Sequence, residues 1–301
     1  MAPTSSADAP FGRVLTAMVT PMTPDGALDY DAAQRLAAHL VDRGNDGLVI
    51  SGTTGESPTT SDEEKERLIR AVIEAVDDTA YVVAGAGTND TAHTVELARQ
   101  AEKAGAHGLL VVTPYYNKPP QEGLLAHFRQ VADATALPTM LYDIPSRSGV
   151  PIRTETLLRL AEHDRIVAVK DAKGDLHETS KVLAATDLAY YCGEDAINLP
   201  MLALGAVGVV SVVSHVCADR YAAMVRAVEA GDLAEARRIN AAVLPAVRGV
   251  MTYTQGAIAA KAALQLLGVI AHRTTRPPLV DASDELVEQI RGDLTEAGLL
   301  S

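Results

Sequence analysis

Eight short apolar runs, each followed by a longer stretch with helical spacing, constrain this chain more than any other feature of its sequence. The runs span 14–20, 47–50, 81–84, 108–112, 139–142, 166–170, 189–191 and 207–212. They read as continuous Val, Ile and Leu, the signature of parallel strands covered on both faces, and their alternation with helices predicts βα units. Helix signals fill the gaps. Ser61 stands three residues before Glu64 as a capping box, and Asp90 opens a run that closes at Lys103-Ala104-Gly105. A doubly wound sheet would carry a Gly-rich phosphate loop after its first strand, whereas here Pro21-Met22-Thr23-Pro24 follows. Eight units favour closure into a (β/α)₈ barrel over 11–217. Beyond it the pattern is purely helical, with segments near 221–229, 233–247, 255–267 and 285–297, which predicts a C-terminal helical extension over 218–301 packed on the barrel. Residues 1–10, rich in Ser, Ala and Pro, read as a flexible tail.

The 301 residues suit one barrel plus that extension, and 48% hydrophobic against 22% charged residues suits a large buried core. A formal charge of −13 with no Lys/Arg-rich run argues against nucleic acid and anionic membrane surfaces as partners. No apolar run approaches the roughly 20 residues that cross a bilayer. Cys192 and Cys217 form no CxxC pair and read as small core residues, and with no secretory signal in view a cytoplasmic location is expected. The eight histidines form no close ligand set, so neither a metal nor another cofactor is expected. Gly85-Ala86-Gly87-Thr88-Asn89 lacks the third glycine of a dinucleotide loop and reads as a turn.

The unusual polar residues collect at the carboxyl ends of the strands, where barrel enzymes build their sites. Strand two ends in Ser51-Gly52-Thr53-Thr54-Gly55-Glu56, strand four in Thr113-Pro114-Tyr115-Tyr116-Asn117, strand five in Tyr142-Asp143-Ile144-Pro145-Ser146-Arg147, and strand six in Lys170-Asp171. Lys170, one of only seven lysines, closes an apolar run. Low-dielectric surroundings lower an amine's pKa and make it a nucleophile toward a ketone. The alternative for Lys170 is a strand-end cation paired with Asp171 or Glu56. Tyr142, on the neighbouring strand, could pass protons at the same mouth, or simply fill the barrel top. Thr53 and Thr54 lie in a Gly-flanked turn able to cradle a carboxylate, and Arg147 offers a bidentate fork for a second one, against the reading of an ordinary surface arginine.

Together these four motifs, with Ser148-Gly149 extending the third and Val169 preceding the fourth, resemble the dihydrodipicolinate synthase family, within the pyruvate-dependent class I aldolases, over nearly the whole chain. The resemblance implies a lyase that condenses pyruvate with aspartate 4-semialdehyde, the 4-hydroxy-tetrahydrodipicolinate synthase reaction of lysine and diaminopimelate synthesis. It implies that Lys170 forms the imine with pyruvate, and that Tyr142 donates and accepts protons in a relay with Thr53 and Tyr116. Tyr116 would be supplied by the neighbouring subunit of a homotetramer built as a dimer of dimers. Thr54, the backbone of Val210 and nearby Gly193 would hold the pyruvate end, and Arg147 the carboxylate of the semialdehyde. Sister enzymes such as N-acetylneuraminate lyase and the keto-deoxy sugar acid aldolases usually lack the Tyr-Tyr pair and this arginine. They supply the enzymatic alternative, and a non-catalytic keto-acid-binding barrel the other. The pattern departs at Asp62 and Lys65, where lysine-inhibited relatives often have histidines, and at His93, where they have an acid, while Ser57, Asn89 and Tyr115 are kept. Weak or absent inhibition by lysine is therefore expected. Asp143 replaces an Asn often seen in relatives.

Overall fold

The computed structural model describes residues 9–300; residues 1–8 of the expected tail lie outside the described residues. Eight parallel strands close into a barrel in sequence order, with β8 returning to β1. They are β1 (Val14–Ala17), β2 (Gly47–Ile50), β3 (Tyr81–Gly85), β4 (Gly108–Val112), β5 (Thr139–Asp143), β6 (Ile166–Asp171), β7 (Ala189–Cys192) and β8 (Gly208–Ser211). Each expected strand is present. The first is shorter than its apolar run because the chain leaves the ladder after Met18, whose N–H still donates to the Val49 carbonyl at 3.0 Å: the Val19 N–H donates to His215 Nε2 at 3.0 Å instead of to a neighbouring strand.

The helices are α1 (Tyr30–Asp42), α2 (Asp62–Val76), α3 (Thr91–Ala104), α4 (Gln121–Asp133), the single turn α5 (Pro145–Ser148), α6 (Thr154–Leu160), α7 (Leu176–Ala185), α8 (Asn198–Leu204), α9 (Ser214–Glu229), α10 (Leu233–Met251), α11 (Gly256–Leu266) and α12 (Asp284–Glu296). The Ser61 side chain caps α2 and Glu64 reaches back to its N–H, as the spacing predicts. Asp90 caps α3, and Gly105 closes it in the left-handed conformation. Helix α9 begins seven residues ahead of its expected start and is kinked at Cys217, whose backbone is non-helical. Helices α10 to α12 follow with no further strand among the described residues, α10 lying on α9 and on α12.

Two apolar layers result. One lies between strands and helices and carries alternate strand residues such as Leu141, Val169 and Val209. The other fills the barrel with Leu15, Val49, Met140, Tyr142, Ala168, Tyr191 and Val210. Phe11 closes its floor: it is fully buried, and its N–H donates to the Tyr191 hydroxyl, which donates in turn to the Gly12 carbonyl. Fully burying a phenylalanine contributes about 2 to 3 kcal/mol. With Ala9 also buried, the chain is anchored from residue 9 onward. Strand alternation therefore decides which side chains enter the barrel: with Met140 and Ala168 inside, Tyr142 and Lys170, two residues on, point the same way.

Candidate active site

Tyr142 and Lys170 are register partners on β5 and β6, and Tyr191 faces Lys170 from β7. The Lys170 amine sits 4.2 Å from the centroid of the Tyr142 ring. Only 5% of Lys170 is exposed. Neither proposed ionic partner holds it: the Glu56 carboxylate pairs with Lys261, and Asp171 accepts from Thr179 and from the N–H groups of Lys173 and Gly174. Burial pulls the amine down to about 8, opposed by the negative charge of Asp195 and assisted by the positive charge of Arg147. Burial pushes the Tyr142 phenol up to about 12, while Arg147 and a hydrogen bond from Thr53 act the other way. At neutral pH the site thus holds a protonated phenol beside an amine that loses its proton easily.

Gly193 explains how the lysine stem fits. A Cβ at this position would lie 2.9 Å from both Cγ and Cε of Lys170, and the Gly193 N–H is fixed by the Asp171 carbonyl at 2.8 Å. The stem runs across the bare backbone of this glycine. Gly85 and Gly87 allow equally close approaches on the opposite side, to the Ser51 carbonyl and the Val112 N–H, so the Gly85–Gly87 segment is a packing turn.

A cavity of about 300 Å³ opens at this end of the barrel, lined among others by Thr53, Tyr115, Tyr116, Tyr142, Arg147 and Ser148. Four expected site residues therefore share it: Thr53, Tyr116, Tyr142 and Arg147. Lys170, Thr54, Val210 and Gly193 do not line it. Lys170 lies behind, its amine held over a ring that does. Thr54 is buried in its turn, and Val210 belongs to the interior layer with Tyr142. Tyr116 is 89% exposed in the single chain although it borders the cavity. Arg147, on α5, is exposed and without an ion pair among the described residues, so its guanidinium is free to take an anion. Among those residues no cluster of three or more His, Cys, Asp or Glu side chains is arranged to hold a metal ion.

Two loops carry unusual backbone. Of the five non-glycine residues with positive φ among the described residues, Ser51 and Glu56 flank the Thr53 turn, and Tyr116 and Lys118 lie in the loop after β4. Such conformations cost energy and persist only where surrounding contacts over-determine them. Those contacts include an ion pair that motif reading did not find, Glu56 with Lys261 of α11. Its one sequence signal was a lysine inside the apolar run Ala259-Ala260-Lys261-Ala262-Ala263. Asp62 meets both Lys65 and His93: His93 Nε2 lies 2.9 Å from it and the Lys65 amine 3.5 Å, and that amine also donates to the Thr60 carbonyl at 2.6 Å.

The Dihydrodipicolinate synthetase family model matches residues 10–297. The chain is 69% identical to the 4-hydroxy-tetrahydrodipicolinate synthase of Kineococcus radiotolerans, over 96% of this chain and 94% of that one. It is 65% identical to the enzyme of the same name from Acidothermus cellulolyticus, over 98% and 95%. Among solved structures, the dihydrodipicolinate synthase of Cyanidioschyzon merolae with lysine bound superposes with a TM-score of 0.94 at 43% identity, covering 97% of this chain and 99% of that one.

Proposed function

The chain belongs to the Dihydrodipicolinate synthetase family, and from that premise we propose that it condenses pyruvate with L-aspartate 4-semialdehyde through an imine on Lys170. The observation that carries this reading is the buried, unpaired Lys170 amine held against the Tyr142 ring. Once deprotonated it attacks the keto carbon of pyruvate. Tyr142, protonated at neutral pH, delivers the proton that lets the carbinolamine oxygen leave as water. Thr54 takes the pyruvate carboxylate, with the Val210 backbone and Gly193 bounding that end.

The iminium loses a methyl proton and becomes an enamine, whose carbon bonds to the aldehyde carbon while the aldehyde oxygen takes up a proton. The α-amine of the semialdehyde then attacks the imine carbon and releases Lys170, closing the ring of 4-hydroxy-tetrahydrodipicolinate. Thr53 links the Tyr142 hydroxyl to the rest of the relay. Arg147, exposed at the cavity wall, holds the carboxylate of the semialdehyde. A sugar acid offers no second carboxylate there, and the arginine favours the amino-acid substrate.

Tyr116 completes the relay of a neighbouring subunit, within a homotetramer assembled as a dimer of dimers. A side chain so exposed in one chain, on a strained loop, is available to a partner's cavity. No described helix is long and apolar enough to cross a membrane, and a cytoplasmic biosynthetic role is part of the proposal.

Borohydride reduction in the presence of pyruvate tests the chemistry. The reduced adduct is expected on Lys170 by peptide mass mapping and absent from Lys170→Ala. In a coupled assay with both substrates, Arg147→Ala is expected to keep adduct formation while condensation falls. An unmodified Lys170 in the parent chain overturns the reading.

A further inference from the structure

The Thr53 turn is tied to the C-terminal helices by a buried ion pair whose cost in burial calls for a reason. Glu56 follows the turn directly, in the left-handed conformation at φ 57°. Its N–H donates to the Thr53 carbonyl at 3.1 Å. One carboxylate oxygen takes the Lys261 amine and the other the Arg276 N–H at 2.9 Å. Lys261 is wholly buried in a helix whose other buried residues are all apolar, with side-chain exposures of 0% and 1% for the pair, and its amine also donates to the Thr274 carbonyl at 2.6 Å.

The same C-terminal segment grips the far side of the loop. The Arg276 guanidinium reaches both oxygens of Glu64 on α2 at 2.7 and 2.6 Å and the Thr59 carbonyl at 2.8 Å. A buried ion pair contributes little net stability compared with apolar side chains of similar shape, but it ties two elements together in one geometry. Here one of those elements is a turn holding three positions of the proposed site's surroundings: Ser51 at its entrance, then Thr53 and Thr54.

We propose that Lys261 and Glu56 are positioning residues that hold the Thr53–Thr54 turn against Tyr142, so that the C-terminal helices set the geometry of proton transfer. The inference rests on the reading of Lys170, Tyr142 and Thr53 given above.

A double-mutant cycle between Lys261→Met and Thr53→Val tests it, with activities measured well below each variant's melting temperature. Each single change is expected to lower kcat/KM for pyruvate by about 10- to 100-fold, the scale on which a misplacement of about 1 Å acts. Each is also expected to move the basic limb of the pH profile upward, because the Thr53 hydrogen bond that lowers the Tyr142 phenol is lost in both. The double variant is expected to lose no more than the worse single one. Should Lys261→Met leave too little folded protein, Glu56→Gln with Lys261→Met removes both charges together and carries the same comparison.

Multiplicative losses overturn the proposal, as does a lower melting temperature with parental kinetics and an unmoved pH profile, the mark of a merely structural pair. In either case a pyruvate adduct trapped on Lys170 of the parent chain leaves the catalytic reading standing. Absence of that adduct overturns both.

Discussion

The pH dependence of imine formation follows from the surroundings of Lys170. Taken from 10.5 down to about 8 by burial, the amine is about one-tenth neutral at pH 7. An unperturbed lysine would be neutral in about one molecule in 3,000, so burial raises the nucleophile's population by about 300-fold. The rate of borohydride-trappable adduct formation at subsaturating pyruvate is therefore expected to rise about tenfold per pH unit below 8 and to level off above it. Arg147→Ala sharpens the test. Removing a positive charge lets the amine rise, so the inflection near 8 is expected to move to higher pH. Stability follows the same linkage. The unfolded amine holds its proton up to 10.5 and the folded one only to about 8, so folding gains stability as pH rises between those values. The stopped adduct is counted by mass spectrometry across pH 6 to 10. A rate still climbing tenfold per unit at pH 9.5, or an inflection that moves to lower pH in Arg147→Ala, would refute the reasoning.

Gly193→Ala places a methyl group 2.9 Å from two carbons of the Lys170 stem; an adduct rate about 10- to 100-fold lower is expected, with about 1 to 3 kcal/mol of lost stability by denaturant titration. Burial raises Asp143 to about 6 despite the Lys173 ammonium at 3.4 Å. Because the folded carboxyl binds its proton more tightly than the unfolded one, stability falls as pH rises from about 4 to 6, and Asp143→Asn is expected to remove that slope from the pH dependence of the melting temperature. Lysine is expected to leave the initial rate unchanged into the millimolar range. Lys65 puts an ammonium group beside Asp62, and His93 engages the same carboxylate, so an incoming ammonium group meets repulsion and an occupied carboxylate; half-inhibition below 1 mM is the outcome that contradicts this.

The barrel was legible because parallel strands covered on both faces leave unbroken apolar runs, and eight such runs have few ways to close. The inward direction of Tyr142 and Lys170 was legible too, since alternation from Met140 and Ala168 fixes it. Strand ends were harder to read. Met18 and Val19 continue the apolar run of β1, yet the strand stops at Ala17 because a histidine from α9 captures the next free N–H. Likewise α9 starts at Ser214 although its backbone breaks at Cys217, a kink that no proline or glycine announces.

What no local pattern could supply was the pairing of Glu56 with Lys261, partners separated by 205 positions. The sequence marks one half as odd, an ammonium group within alanines, and the structure the other, a carboxylate after Gly55 in a conformation that resists side chains. An isolated buried charge is too costly to persist alone, so each oddity requires a partner. Glu56 could as well have answered Lys170 by composition. The structure gives it to Lys261, and that assignment leaves Lys170 with only the more distant charge of Asp195 and no carboxylate paired to its amine among the described residues, which is the condition an amine nucleophile needs. An acid introduced to pair with Lys170, as in Val210→Asp from the interior layer, is accordingly expected to raise the amine toward its ordinary value and to suppress adduct formation at pH 7 while restoring part of it at pH 10.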